Sequence, residues 1–254
     1  MLILFSAHQL KMEIVFGLSH PAANKTPKKT LILDLDESAV HSWENGQFVE
    51  YYGIYSDPVV YRKFHPLGSP QIAYSMLLNL PNGPARIWGL TRPYLYEFLA
   101  WANTYFDNII VWSAGIQPYV EEIIRQIFLE AGLRSPKLVW ARNRTPNYNG
   151  MYHKPIAEII RELTTRPYTT VEIDPKWTVV VDDKQHTFML NPNSGILIPP
   201  YHPGRQRHDK IPTMEDLLDR SDRCLLQLMA WFERPDVKSA PDITMVDKTR
   251  IFGN

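Results

Sequence analysis

Leu31-Ile32-Leu33-Asp34-Leu35-Asp36-Glu37-Ser38-Ala39 joins a short apolar run to a cluster of carboxylates. The apolar run predicts a buried strand, and two aspartates leave its end together. On an open parallel sheet the carboxyl edge is where ligands bind, and buried charge survives there only when a cation or a substrate compensates it. Taken alone, the same residues suit a capped strand-to-loop turn or the opening of an EF-hand loop. The EF-hand reading fails on spacing: that loop needs Gly at its sixth position and a bidentate Glu at its twelfth, where Ala39 and Asn45 stand.

Working outward, Thr178-Val179-Val180-Val181 is a second β-branched run, and it too ends in a pair, Asp182 and Asp183. If the two strands are neighbours, four carboxylates converge. Such a group does not stay ionised without a cation, and hard oxygen ligands favour magnesium. A third apolar run, Asn108-Ile109-Ile110-Val111-Trp112, ends in Ser113, Ala114 and Gly115. Backbone N–H groups freed by Gly115, ahead of a helix that begins near Pro118, suit an anion such as phosphate. Lys154 precedes a helix expected over residues 156–163, where it can pair with the acidic cluster and with a bound phosphate. Singly, Ser113 suits a helix cap, and Lys154, Arg142 and Arg144 suit solvated surface charges. Those bland readings must hold at four places together, and a cation site beside an anion site implies phosphoryl chemistry.

Four motifs in order, DLDES (residues 34–38), VWSAG (111–115), YHKP (152–155) and VVVDD (179–183), resemble the aspartate-nucleophile phosphatases of the haloacid dehalogenase superfamily. Within it the chain resembles the small CTD phosphatase and NLI-interacting-factor group, which dephosphorylates the C-terminal domain of RNA polymerase II. The resemblance implies an α/β Rossmannoid fold, with a central parallel sheet, helices on both faces and a small β insertion after the first strand. It divides the chain into an N-terminal extension or linker (residues 1–27), one phosphatase domain (28–235, with a β-rich insertion over 41–90) and a C-terminal tail (236–254).

Roles follow from the resemblance residue by residue. Asp34 is the expected nucleophile, forming an aspartyl phosphate. Asp36 is the expected general acid and base, which needs a raised pKa, and its backbone carbonyl is an expected metal ligand. Ser38, Ala114 and Arg142 are expected near the substrate phosphate. Ser113, where the family usually has threonine, is expected to donate to a phosphoryl oxygen, and Lys154 to neutralise it. The magnesium site is expected to draw on Asp34, Asp36, Asp182 and Asp183, with Asp182 also orienting Lys154. Small CTD phosphatases have asparagine at the position of Asp183, whereas other branches have aspartate; either ligates a hard cation.

At 254 residues and 44% hydrophobic content, the chain can bury one sizeable core. Basic and acidic residues balance at 27 each, so no net field favours nucleic acid and no direct nucleic-acid contact is expected. The single cysteine, Cys224, forbids an internal disulfide and fits a reducing compartment. The opening Met1-Leu2-Ile3-Leu4-Phe5 is too short for a membrane span and has no basic residue before it. Secretion and membrane insertion are therefore not expected, and an intracellular location, nuclear or cytoplasmic, is. Residues 18–30 read as a linker.

Helical spacing predicts a helix after Pro93 carrying Leu95, Phe98, Leu99 and Ala102, and another carrying Val120, Ile123, Ile124, Ile127 and Phe128 that stops at Gly132. Thr213 and Asp216 form a capping-box pattern opening one C-terminal helix, with Leu217, Leu225, Leu228 and Phe232 on a face. Within the insertion, aromatic and β-branched runs over 48–55, 59–64 and 72–80 read as β structure, with a turn at Pro81-Asn82-Gly83. The insertion either recognises residues flanking a phosphorylation site or only extends the sheet.

The leading expectation is a magnesium-dependent phosphoserine and phosphothreonine protein phosphatase, with the polymerase C-terminal domain as a candidate substrate. The alternatives are a noncatalytic phosphopeptide-binding scaffold and a small-metabolite phosphatase of the same superfamily. Competent side chains at every named catalytic position favour the enzyme, and the lack of a large cap favours a peptide. Oligomeric state is left open.

Overall fold

The computed structural model describes residues 27–44, 46–165, 171–204 and 211–253. The N-terminal extension, up to residue 26, lies outside the described residues. Strand β1 (Thr30–Leu33) is buried throughout, and its side chains alternate between two cores: Leu31 and Leu33 join the larger, Ile32 the smaller. Burial on both faces is what a central parallel strand requires. The chain continues through β2 (Val40–Glu44), helices α1 (Gln47–Tyr51) and α2 (Pro58–Phe64), and a hairpin of β3 (Ala73–Leu80) and β4 (Gly83–Thr91). Helix α3 (Leu95–Tyr105), β5 (Asn108–Trp112), α4 (Gln117–Ile124) and β6 (Leu138–Trp140) follow. A small ribbon of β7 (Asn147–Tyr148) and β8 (Met151–Tyr152) leads into α5 (Ile156–Thr165). Strands β9 (Thr178–Asp182) and β10 (Gly195–Leu197) then precede helices α6 (Met214–Leu218), α7 (Cys224–Glu233) and α8 (Pro235–Lys238).

The central sheet runs β10-β9-β1-β5-β6, with every neighbouring pair parallel. Helices α3, α4 and α7 cover one face through Phe98, Val120, Ile123 and Leu228, and α5 covers the other through Ile156, Ile159 and Leu163. The α/β architecture with helices on both faces is therefore the one expected. Register decides where the chemistry falls. Leu33 stands level with Val111 of β5 and with Val181 of β9, so Asp34, Ser113, Asp182 and Asp183 leave the carboxyl edge together.

The insertion contains a three-stranded antiparallel sheet in the order β2-β4-β3, and its hairpin turns at Pro81 and Asn82. Two of the runs read as β structure form no strand: 48–55 is the end of α1 followed by turns, and 59–64 is helical. For α2 the reason is local capping: the Asp57 side chain accepts from the N–H groups of Val59 and Val60, and Pro58 occupies the first turn. That capping outweighs the weak β preference of the valines. Phe48 and Phe64 then pack edge-on against Trp88.

The Thr213–Asp216 capping box is present, but the one helix expected after it is two, α6 and α7. Buried Arg92 grips Asp222 with Nε and Nη2 at 3.1 and 2.8 Å, and Asp222 accepts the backbone N–H of Cys224. A tertiary ion pair thus starts α7 afresh. Beyond residue 235 the chain packs on the larger core through Val237, Ile243 and Ile251. No described helix is long and apolar enough to cross a membrane.

Candidate active site

The backbone N–H of Asp34 still bonds to Val181, at 3.0 Å, so its carboxyl is placed by the sheet itself. The next residues fold back at once: the N–H groups of Ser38, Ala39 and Val40 all donate to the carbonyl of Leu35, and Glu37 takes a left-handed φ of 58°. This tight loop keeps Asp34 and Asp36 at the sheet edge.

Lys154 is the centre of the site. It is 1% exposed, and its Nζ lies 2.5 Å from Asp34 Oδ1 and 2.6 Å from Asp182 Oδ2. Burial opposes its charge, but Asp182 and Asp34 outweigh burial and hold the ammonium above its ordinary range. Asp34 is 7% exposed, and burial, followed by the nearby Asp182, pushes its carboxyl well up. Asp182 also accepts the backbone N–H of Lys184 on Oδ1, so both of its oxygens are engaged and it orients the lysine.

Ligand oxygens of Asp34, Asp182 and Asp183 lie within 4.8 Å of one another. Asp183 Oδ1 is buried with no hydrogen-bond partner, and burial pushes the carboxyl up to about 6. A buried, unsatisfied carboxylate oxygen beside two other carboxylates is what a hard divalent cation would satisfy, so the donor set fits one. The Asp36 carboxylate stands outside this trio. It accepts from the hydroxyls of Tyr119 and Ser113, and burial raises it above the usual carboxylate range. The implied role of its backbone carbonyl as a cation ligand does not depend on that side chain.

Two hydroxyls expected near phosphate are turned inward. Ser38 Oγ accepts the backbone N–H of Asp183 at 3.1 Å, bracing the loop that carries that aspartate. Ser113 Oγ donates to Asp36 and accepts the N–H of Gly115 at 2.9 Å. The Gly115 N–H, read from the sequence as free for an anion, is therefore taken by a local serine turn. The cleft in front of the carboxylates, about 250 Å³, is walled instead by Asp34, Asp36, Ala114, Arg142, Lys154 and Lys184. Arg142 is held there by its Nε, which donates to the carbonyl of Ala114 at 2.7 Å. A larger cavity of about 570 Å³ lies in the insertion near Trp88 and Arg86 and contains none of the carboxylate cluster.

Sequence reasoning missed Lys184 and Tyr119. Lys184 lies 3.5 Å from Glu37 and 4.0 Å from Asp183, and its one signal was adjacency to the aspartate pair. Tyr119 carried no local signal, since it sits among the apolar residues of α4 and its bond to Asp36 spans 83 residues.

A family model described as NLI interacting factor-like phosphatase matches residues 29–234. A "Probable C-terminal domain small phosphatase" of Dictyostelium discoideum is 24% identical over 197 residues, covering 76% of this chain and 52% of that protein. The "Ubiquitin-like domain-containing CTD phosphatase 1" of Drosophila melanogaster is 30% identical over 138 residues, covering 52% of this chain and 40% of that protein. The chain thus spans about half or less of the length of these curated relatives. Among solved structures, that of Fcp1, an essential RNA polymerase II CTD phosphatase, superposes with a TM-score of 0.54 at 20% identity. It covers 87% of this chain and 58% of the other, and agrees with the fold described above.

Proposed function

Because the chain belongs to the NLI interacting factor-like phosphatase family, we propose that it is a magnesium-dependent serine/threonine protein phosphatase working through an aspartyl-phosphate intermediate. The observation that carries this reading is the buried Lys154 held between Asp34 and Asp182 at the carboxyl edge of the sheet. The Asp34 carboxylate attacks phosphorus while the ester P–O bond breaks, and the departing seryl or threonyl oxygen takes its proton from Asp36. Water then attacks the aspartyl phosphate, gives a proton back to Asp36 and releases phosphate. The raised pKa of Asp36 supports the first of these steps, because an ordinary aspartate has lost its proton at neutral pH. Lys154, Arg142 and Lys184 supply positive charge around the transferring group, where preorganised electrostatics do most of the catalytic work. Asp34, Asp182 and Asp183, with the Asp36 carbonyl, would hold magnesium, which when bound screens the charge between phosphate and nucleophile.

The relatives, which are named as CTD phosphatases, support a phosphoprotein as the substrate class. A phosphoserine or phosphothreonine segment, with the RNA polymerase II C-terminal domain as first candidate, implies an intracellular protein, nuclear or cytoplasmic. Turnover of a panel of phosphopeptides, with magnesium and with EDTA, tests the proposal. Magnesium-dependent release of phosphate supports it; binding without turnover would favour a scaffold. Small phosphate esters cleaved far faster than any peptide would favour a metabolite phosphatase.

Asp183 makes a separate prediction for the metal-free chain. Its folded carboxyl titrates at about 6 against an ordinary 3.8, so between those values the folded state binds more protons than the unfolded one. Stability from this group is therefore full at low pH and is lost as pH rises through about 4 to 6. Asp183→Asn is expected to flatten that part of the pH dependence of the denaturation midpoint in EDTA. Magnesium is expected to stabilise wild type more at about pH 7.5 than at about pH 5. Identical pH profiles for variant and wild type would refute the assignment.

A further inference from the structure

Resting on the phosphatase reading, a further role falls to three hydroxyls that the reaction steps leave unused. Tyr119 of α4 donates to Asp36 Oδ1. Its one proton is thereby committed, so its oxygen must accept from Ser42 of β2, whose Oγ lies 2.6 Å away. Ser42 has then used its own proton and must accept from Tyr74 of β3, 2.7 Å away. The shortest contacts then run one way, Tyr74 to Ser42, Ser42 to Tyr119 and Tyr119 to Asp36, with the His41 carbonyl a longer second acceptor for Tyr74 at 3.5 Å. Both tyrosines are buried, so water does not compete for these bonds.

The backbone is shaped around this chain. Ser42 and Tyr74 pair with the same residue of β4, Gly89, from its two sides. A Cβ on Gly89 would lie 2.2 Å from Tyr74 Cζ and 2.3 Å from its hydroxyl oxygen, so the phenol crosses the strand only over a glycine. At the other end, a Cβ on Gly115 would lie 2.8 Å from Tyr119 Cδ1. The chain starts in the insertion sheet and ends on the candidate acid of the main domain.

We propose that Tyr119, backed by Ser42 and Tyr74, is the positioning residue for Asp36. The hydroxyl chain holds Oδ1 while Ser113 holds Oδ2 at 3.3 Å, and together they fix the plane of the carboxyl toward the cleft. A general acid acts only within hydrogen-bond reach of the departing oxygen, so a carboxyl free to swing transfers its proton less often. The loss should depend on how much the leaving group needs that proton.

The test compares kcat/KM of magnesium-loaded wild type, Tyr119→Phe, Ser42→Ala and Tyr74→Phe on phenyl phosphate and on dinitrophenyl phosphate. Phenolate is a poor leaving group that needs a proton, whereas dinitrophenolate departs without one. Tyr119→Phe is expected to lose about 30-fold on phenyl phosphate and less than about 3-fold on dinitrophenyl phosphate. Ser42→Ala and Tyr74→Phe are expected to lose about 3- to 10-fold on phenyl phosphate with the same selectivity. Equal losses on both esters, or full activity in both Ser42→Ala and Tyr74→Phe, would overturn the proposal. If Tyr119→Phe does not fold, the other two variants decide by the same comparison. A wild type that hydrolyses neither these esters nor the phosphopeptides defeats the phosphatase reading and this proposal with it. Equal losses defeat this proposal alone.

Discussion

Asp34→Asn is expected to lower magnesium-dependent turnover of a chromogenic phosphomonoester by at least about a thousandfold while the protein stays folded. An amide oxygen has the shape of the carboxylate oxygen it replaces and can still accept from Lys154, but it does not displace an alcohol from phosphorus. Stability should move the other way. Burial and then Asp182 push the Asp34 carboxyl well up, so its ionised form is costly in the metal-free fold. A neutral asparagine removes that cost, and the denaturation midpoint in EDTA is expected to equal or exceed that of wild type. Activity lost with stability kept or gained is the signature of a residue retained for chemistry. Turnover within about tenfold of wild type would mean that another group attacks phosphorus, and the proposed mechanism would fall.

Lys154→Met should produce the largest loss of stability. Methionine fills a similar volume, but it leaves Asp34 and Asp182 facing one another in a site where the lysine was 1% exposed. Breaking a buried ion pair from one side costs about 3–5 kcal/mol, because the remaining charge is neither hydrated nor paired. Urea denaturation in EDTA at neutral pH measures this directly. The deficit should shrink as pH falls, since protonating either carboxyl relieves the repulsion. Magnesium should recover part of it by supplying another cation to the same oxygens. A loss below about 1 kcal/mol would show that the carboxylates find other partners and that Lys154 is not the keystone of the cluster. Turnover should fall to background in the same variant, because neither the nucleophile nor the phosphate keeps its counter-charge.

Much of this was legible along the chain because the signals are local. An apolar run followed at once by aspartates marks a strand end, and it does so both at Leu33 to Asp34 and at Val181 to Asp182. Lys154 before a helix and Ser113 after a strand read the same way. The insertion was less legible. Its valines favour strands by composition, and only the cap at Asp57 and the packing of Phe48 and Phe64 on Trp88 keep those runs out of the sheet. The break between α6 and α7 depends on Arg92, 130 residues away from Asp222, and no periodicity in a helix reports such a partner.

Strand patterning and side-chain chemistry act over a few residues, so residue order alone names the carboxylate, ammonium and hydroxyl groups that reach the carboxyl edge of a parallel sheet. How those groups share their bonds depends on the three-dimensional packing. It turned Ser38 toward Asp183 and closed Ser113 onto Gly115. It also ran Tyr119, Ser42 and Tyr74 into a chain behind Asp36. Hydrogen-bond partnership is set by distance in space, and for Ser42 and Tyr119 a 2.6 Å contact joins residues 77 apart in the chain, a separation at which sequence pattern carries no register.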